Sequence, residues 1–296
     1  MVGYQEVVRR VPEEELLSCG HLACPGCGEK LAMRLALKAL GERTILVIPA
    51  GCAAVVDGMF PHSSSMVPLL HTAFETTASA AVGVRAGLDV RGVEDVTVLA
   101  WGGDGATFDI GLQALSGAAE RNENILYVCY DNEAYMNTGI QRSSATPWGA
   151  WTGTTPVDQP KDRPKKDMMS IMAAHKIPYA ATASVAFPED YVSKLKKARA
   201  IVGTRFIQVF SPCPSGWKTP SDISVKLARL AVETRIFPLY EVENGKELTL
   251  NRRPKPLPVK EYLKLQGRFR HLREADIDRI QQDVDEMWDE LQKKAG

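Results

Sequence analysis

Two short clusters in the middle of the chain carry residue types that hold a phosphate-bearing ligand through a cation. Gly103-Asp104-Gly105 closes the apolar run VTVLAW, and Asp131-Asn132 closes a second run, ILYVCY. Asp104 offers a hard anionic oxygen, while Asn132 and a nearby main-chain carbonyl offer neutral ones, a donor set that suits Mg²⁺. The glycines let the backbone approach phosphate oxygens. A helix starting near Ala106 would add N–H donors and the positive end of its dipole. An isolated Gly-Asp-Gly carries little weight, because strand-end turns use these residues for conformational reasons.

For the two clusters to meet, two strands must end side by side. Asp104 and Asn132 are 28 positions apart, with room for one helix between them. In a doubly wound, mostly parallel α/β sheet with helices on both faces, the carboxyl ends of neighbouring strands open on one crevice. The 25 residues between Gly105 and Asp131 and the pair GDG…DN resemble the thiamine diphosphate motif, whose second half is usually Asn-Asn. Asp131 departs from it. By that pattern Asn132 supplies a side-chain ligand and Ala134 a carbonyl ligand.

Cysteines at other strand ends extend the chemistry. Cys24 and Cys27 form a CxxC at the start of a helix pattern, where thiolates are stabilised. A redox dithiol, a zinc site and an iron–sulfur site stand side by side as readings of it. Zinc would need a second pair at short spacing, and none follows; His21 reads as a surface or capping residue. A dithiol would need a strand before Cys24, and no strand pattern is present. Cys52, in VIPAGC, and Cys213, between Pro212 and Pro214 in SPCPSGW, both follow strand-like runs. Four thiolates from Cys24, Cys27, Cys52 and Cys213 would suit a 4Fe–4S cluster, but their dispersed spacing is equally that of core and loop cysteines. Cys129, inside ILYVCY, reads as a small buried hydrophobe. Cys19 has no evident partner.

The 296 residues are 45% hydrophobic and 24% charged, with a formal net charge of zero. This is the composition of a globular chain and argues against nucleic acid or an anionic membrane as the main partner. No apolar run reaches the roughly 18 residues of a membrane helix. The charged start MVGYQEVVRRVPEEE lacks a signal-like apolar segment, so a cytoplasmic location is expected. With six cysteines in that setting, metal ligands, reactive thiols or core fillers are favoured over disulfides.

Together GHLACPGCGEK, IPAGC, GGDGATFDIG, YDNEAYMNTGIQRSSATPWGA and SPCPSGW closely resemble the β subunit of 2-oxoacid:ferredoxin oxidoreductases, with the pyruvate branch the nearest likeness. The resemblance covers roughly residues 18 to 240. It implies a thiamine diphosphate-binding fold in which Cys24, Cys27, Cys52 and Cys213 hold a 4Fe–4S cluster. Gly103, Asp104, Gly105 and Ala106, with Asn132, Ala134 and Asn137, form the diphosphate and Mg²⁺ wall. Asn137 would also face the thiazolium or substrate, and Glu29 would contact the cofactor, although a carboxylate in a helix's first turn needs no function. His71 reads as structural, and Arg142 and Lys218 as exposed loop charges.

The implied reaction is oxidative decarboxylation of pyruvate with coenzyme A, electrons passing through the cluster to ferredoxin. Oxalate, 2-oxoisovalerate and 2-oxoglutarate are alternative substrates. The resemblance also implies α, γ and δ subunits or fused equivalents, with the active site at a subunit interface. A non-redox thiamine decarboxylase or synthase subunit would leave the four cysteines without a role. A plain electron-transfer subunit would leave the Mg²⁺ motif without one.

Beyond Ala150 the patterns alternate: helix DMMSIMAAHK, strand YAATAS, helix PEDYVSKLKKARA, strand FIQVF, and a helix capped by Ser221 or Asp222. Residues 1–236 are expected to form the cofactor-binding domain. Residues 237–296 are expected to add a hairpin at Asn244-Gly245, a basic arm and an amphipathic helix striped with Ile277, Ile280, Val284, Met287 and Leu291, all for subunit docking.

Overall fold

The structure is a computed structural model in which residues 11–296 are described. Residues 1–10, most of the polar start, lie outside the described residues. Eight strands form one sheet in the order β2-β1-β3-β4-β6-β5-β7-β8: β1 Thr44–Pro49, β2 Leu69–Thr72, β3 Thr97–Gly103, β4 Leu126–Asp131, β5 Tyr179–Ser184, β6 Arg205–Phe210, β7 Tyr240–Glu243 and β8 Glu247–Leu250. The first six in that order run parallel. β7 and β8 close the edge antiparallel.

Every residue of β3 to β6 is buried, as continuous apolar runs covered on both faces require. Side chains alternate between two cores. Leu99, Trp101, Val128 and Ile207 face α1 (Gly28–Leu40), α6 (Pro188–Ala200) and α8 (Ser224–Glu233). Val98, Ala100, Tyr127 and Phe206 face α3 (Thr77–Val90), α4 (Leu112–Glu120) and α5 (Met168–Ala174). Asn244 and Gly245 both have positive φ, at 51° and 69°, and turn the expected hairpin. That hairpin pairs with β5 through β7, so residues 240–250 extend the same sheet. The chain then forms α9 (Lys260–Leu263) and ends in α10 (Glu274–Ala295), which buries Val284, Trp288 and Leu291.

Two local expectations are corrected. The helix expected near Ala106 begins as a π-turn, Gly105–Ile110, before α4, a form enriched at functional sites. Ser221 and Asp222 lie in a 3₁₀ turn, Ser221–Ile223, and α8 starts only at Ser224. His71, read as structural, lies exposed on the short edge strand β2. Among the described residues no helix is long and apolar enough to cross a membrane. Large apolar side chains also remain in water: Leu22, Val55, Met59, Phe60 and Met66 are all more than half exposed, Phe60 at 94%.

Candidate active site

The sheet brings the predicted strand ends together. From β1 the chain passes first to β2 on one side and then to β3 on the other, and such a reversal opens a crevice at the carboxyl ends of the strands. A cavity of about 320 Å³ lies there, lined by Gly51 and Cys52 after β1, Gly103 to Ala106 after β3, and Asn132, Ala134 and Asn137 after β4. Its position follows the sequence reading. Tyr135 lies against Gly105, where an added Cβ would stand 2.4 Å from its ring. The Tyr135 hydroxyl donates to Asp109 Oδ2 at 2.8 Å.

Asp104 is fully buried. Its Oδ2 accepts a short hydrogen bond from the Ser143 hydroxyl. One end of the Asn132 amide lies 2.9 Å from both Asp104 Oδ1 and the Ala134 carbonyl oxygen. With its NH₂ there, Asn132 donates to both. With its oxygen there, three oxygens converge at about the 3 Å that separates adjacent ligands of an octahedral Mg²⁺, given metal–oxygen distances near 2.1 Å. The donor set therefore fits such an ion. Burial, reinforced by the charge of Asp131, holds the Asp104 carboxyl well above the usual carboxylate range, and a bound cation would reverse that balance.

Asp131, where the thiamine motif usually has Asn, is fully buried but compensated. Its Oδ2 accepts from Lys165 Nζ at 2.5 Å and Gln208 Nε2 at 2.6 Å. Burial raises its pKa and Lys165 only partly offsets this. Glu133 is ionised the more easily: burial pushes it up, but Lys165 at 2.8 Å and Arg268 at 2.5 Å outweigh that and lower it. Lys165 rises in turn, its two carboxylates overcoming the cost of burial. Lys165, Gln208 and Arg268 are site residues the sequence reading missed.

The segments that carry the cysteines lie beside this crevice, with Cys24 exposed and Cys27, Cys52 and Cys213 half-buried. Cys27 is the N-cap of α1, and Cys213 the N-cap of the single turn α7 (Pro214–Trp217), whose Gly216 N–H donates to Sγ at 3.4 Å. The two segments touch: the Gly28 N–H donates to the Pro212 carbonyl at 3.0 Å, and a Cβ on Gly28 would stand 2.7 Å from the Pro212 nitrogen. Cys52 begins α2 (Cys52–Asp57). Burial, then the charge of Glu29, pushes the Cys27 thiol up to about 12. Cys52 is raised by burial and Glu29, with Cys213, Cys27 and Cys24 each adding to the effect. Burial also raises Cys213.

Burial therefore works against a thiolate at Cys27, the N-cap of α1. Such thiols make poor redox nucleophiles and lose their protons when they bind metal. Among the described residues no three His, Cys, Asp or Glu side chains are gathered closely enough for one metal ion. A cluster of four irons needs its sulfurs further apart than one ion would.

Glu29 is buried beneath the cysteines and is absent from the lining of the 320 Å³ cavity. Trp101 Nε1 donates to its Oε1 at 3.0 Å, and Cys27 Sγ lies 3.9 Å from Oε2. Burial pushes its carboxyl up to about 7. Asn137 lines the cavity and is exposed. Cys129 is fully buried, as expected, while Cys19 and Arg142 are exposed. Lys218 stands 3.9 Å over the Trp151 ring.

Residues 49–209 match the family described as thiamine pyrophosphate enzyme, C-terminal TPP binding domain. The chain is 52% identical to ketoisovalerate oxidoreductase subunit VorB of Pyrococcus furiosus, over 96% of this chain and 95% of that protein. It is 51% identical to pyruvate synthase subunit PorB of Methanocaldococcus jannaschii, over 95% and 97%. A solved 2-oxoglutarate:ferredoxin oxidoreductase from Magnetococcus marinus shares the fold, with a TM-score of 0.57 at 20% identity, covering 93% of this chain and 94% of that one. With a thiamine-binding domain across its parallel sheet and relatives of about half-identical sequence along nearly its whole length, the chain belongs to the β subunits of the 2-oxoacid:ferredoxin oxidoreductases.

Proposed function

We propose that the chain is the thiamine- and cluster-binding subunit of an enzyme that oxidatively decarboxylates pyruvate with coenzyme A and passes the electrons to ferredoxin. The observation that carries this is the meeting of the Asp104 carboxylate, the Asn132 amide and the Ala134 carbonyl in the crevice that also holds Cys52. When bound, thiamine diphosphate supplies the nucleophilic carbon and electron sink that 2-oxoacid decarboxylation needs, and a 4Fe–4S cluster accepts electrons one at a time.

The residues of this chain bind and orient. Asp104 Oδ1, the Asn132 side chain and the Ala134 carbonyl hold Mg²⁺, and Gly103 to Ala106 let the diphosphate approach. Cys24, Cys27, Cys52 and Cys213 hold the cluster. Asn137, exposed in the cavity wall, faces the reacting groups. Glu29 acts from beneath the cysteines and keeps the Trp101 indole in place. Companion α, γ and δ subunits or fused equivalents complete the enzyme, with residues 237–296 serving in their docking. The compartment is the cytoplasm.

A second substrate has its own support, since a 52% identical relative is named for ketoisovalerate. The test is anaerobic. The complex is purified with its natural partners, and bleaching of the iron–sulfur absorption is followed after adding pyruvate or 2-oxoisovalerate, with and without coenzyme A. Faster reduction by pyruvate, strengthened by coenzyme A, is expected. Preference for 2-oxoisovalerate would overturn the substrate, and the absence of iron would overturn the cluster.

A further inference from the structure

We propose that Arg268, in the 3₁₀ turn Gly267–Phe269 of the C-terminal segment, is a positioning residue that sets the geometry of the cation loop 132–134 through Glu133. The inference rests on the reading that Asn132 and Ala134 hold the cation. Glu133 sits between them with φ of 69°, a left-handed backbone that a glutamate rarely adopts unless its surroundings enforce it. The surroundings do so. Both carboxylate oxygens of Glu133 are held, by Lys165 and by Arg268, and the Thr146 hydroxyl donates to its carbonyl at 2.7 Å.

Arg268 reaches the same loop by a second route. It is 2% exposed, and its guanidinium lies 4.1 Å from the ring centre of Trp217, whose Nε1 donates to the Asn132 carbonyl at 2.8 Å. Gln266 Oε1, accepting from Arg268 Nε at 2.9 Å, fixes the guanidinium. With Thr146 on the Glu133 carbonyl and Trp217 on that of Asn132, the Ala134 carbonyl is the one left facing the Asn132 amide. One arginine 135 positions along the chain from Glu133 thus holds the loop at two of its three residues.

The test uses the purified complex and titrates thiamine diphosphate by calorimetry at a series of Mg²⁺ concentrations. Arg268→Met and Glu133→Gln are each expected to raise the Mg²⁺ concentration for half-maximal binding roughly tenfold or more, the usual cost of loosening a ligand's support. The double variant, with no unpaired buried charge, should regain unfolding temperature while Mg²⁺ binding stays weak. Recovery of both together would show a purely structural role and overturn the proposal, as would a Mg²⁺ requirement within twofold of the wild type. Should Arg268→Met not fold, Glu133→Gln decides by the same criterion. Asp104→Ala is the reference: if it leaves Mg²⁺-dependent binding intact, the reading beneath the proposal fails instead.

Discussion

Replacing Lys165 by Met tests how Asp131 is tolerated where the thiamine motif usually has Asn. In the wild type two buried carboxylates, Asp131 and Glu133, face two cations, Lys165 and Arg268. Without Lys165 the group is left one charge in excess, and protonating Asp131 is the least costly relief. From an ordinary pKa near 3.9, holding a proton at pH 7 costs about 4 kcal/mol at about 1.4 kcal/mol per unit. The general cost of breaking a buried ion pair is ~3–5 kcal/mol, and because Lys165 is 24% exposed we expect the lower end, about 3 kcal/mol.

The sign follows from the raised folded pKa of Asp131. Its folded state holds the proton more tightly than the unfolded chain, so the penalty is absent well below pH 4 and grows as pH rises. At pH 5.5 the loss should shrink to about 2 kcal/mol. Guanidinium unfolding of the full chain at the two pH values measures it, and adding Asp131→Asn should restore most of it. A loss under about 1 kcal/mol, or one equal at both pH values, would refute the charge balance described here.

Glu29→Gln should flatten the pH dependence of the cluster-free chain. The raised pKa of Glu29 means wild-type stability is full below pH 4.5 and falls by about 3 kcal/mol as pH climbs through about 7, so the variant should be the more stable at pH 8; equal midpoints at pH 5 and 8 in the wild type would sink this. Trp217→Phe keeps the ring under Arg268 but removes the donor to Asn132, and should lower the unfolding free energy by about 1–2 kcal/mol while weakening Mg²⁺-dependent thiamine binding. Cys213→Ser should cost iron but spare thiamine binding, with Asp104→Ala doing the reverse, as read by metal analysis and calorimetry of the complex; a variant losing neither would undo the site.

Gly103 to Ala106, Asn132 and Cys52 were legible in the sequence because each lies just past an apolar run, and a parallel sheet sends such positions to one end. Asp131 was legible only as a departure. Its reason, Lys165 and Gln208, comes from a Pro-rich loop and from β6, and no local pattern joins three segments so far apart. Arg268 lies past the basic arm and carried no signal of its own, since the mark of a buried arginine is its partner and Glu133 is 135 positions away. The short β2 was missed because LLHT is only four residues long with two exposed, too little for alternation to register. The burial that raises the Cys27 thiol was not legible either, because sequence shows a helix start but not what packs around it.

The distance along the chain between Glu133 and Arg268 also governs when the loop can form. During synthesis β3, β4 and the loop after them emerge long before residue 268, and until then two carboxylates share a single lysine. On the proposal above, loop 132–134 gains the last of its supports only when Arg268 reaches Glu133. The arm closes it from outside, after β7 and β8 have completed the sheet. A chain cut short before Arg268 could keep most of the parallel sheet and still lack the loop, so it would pass for folded by its secondary structure yet leave its cofactor crevice unfinished.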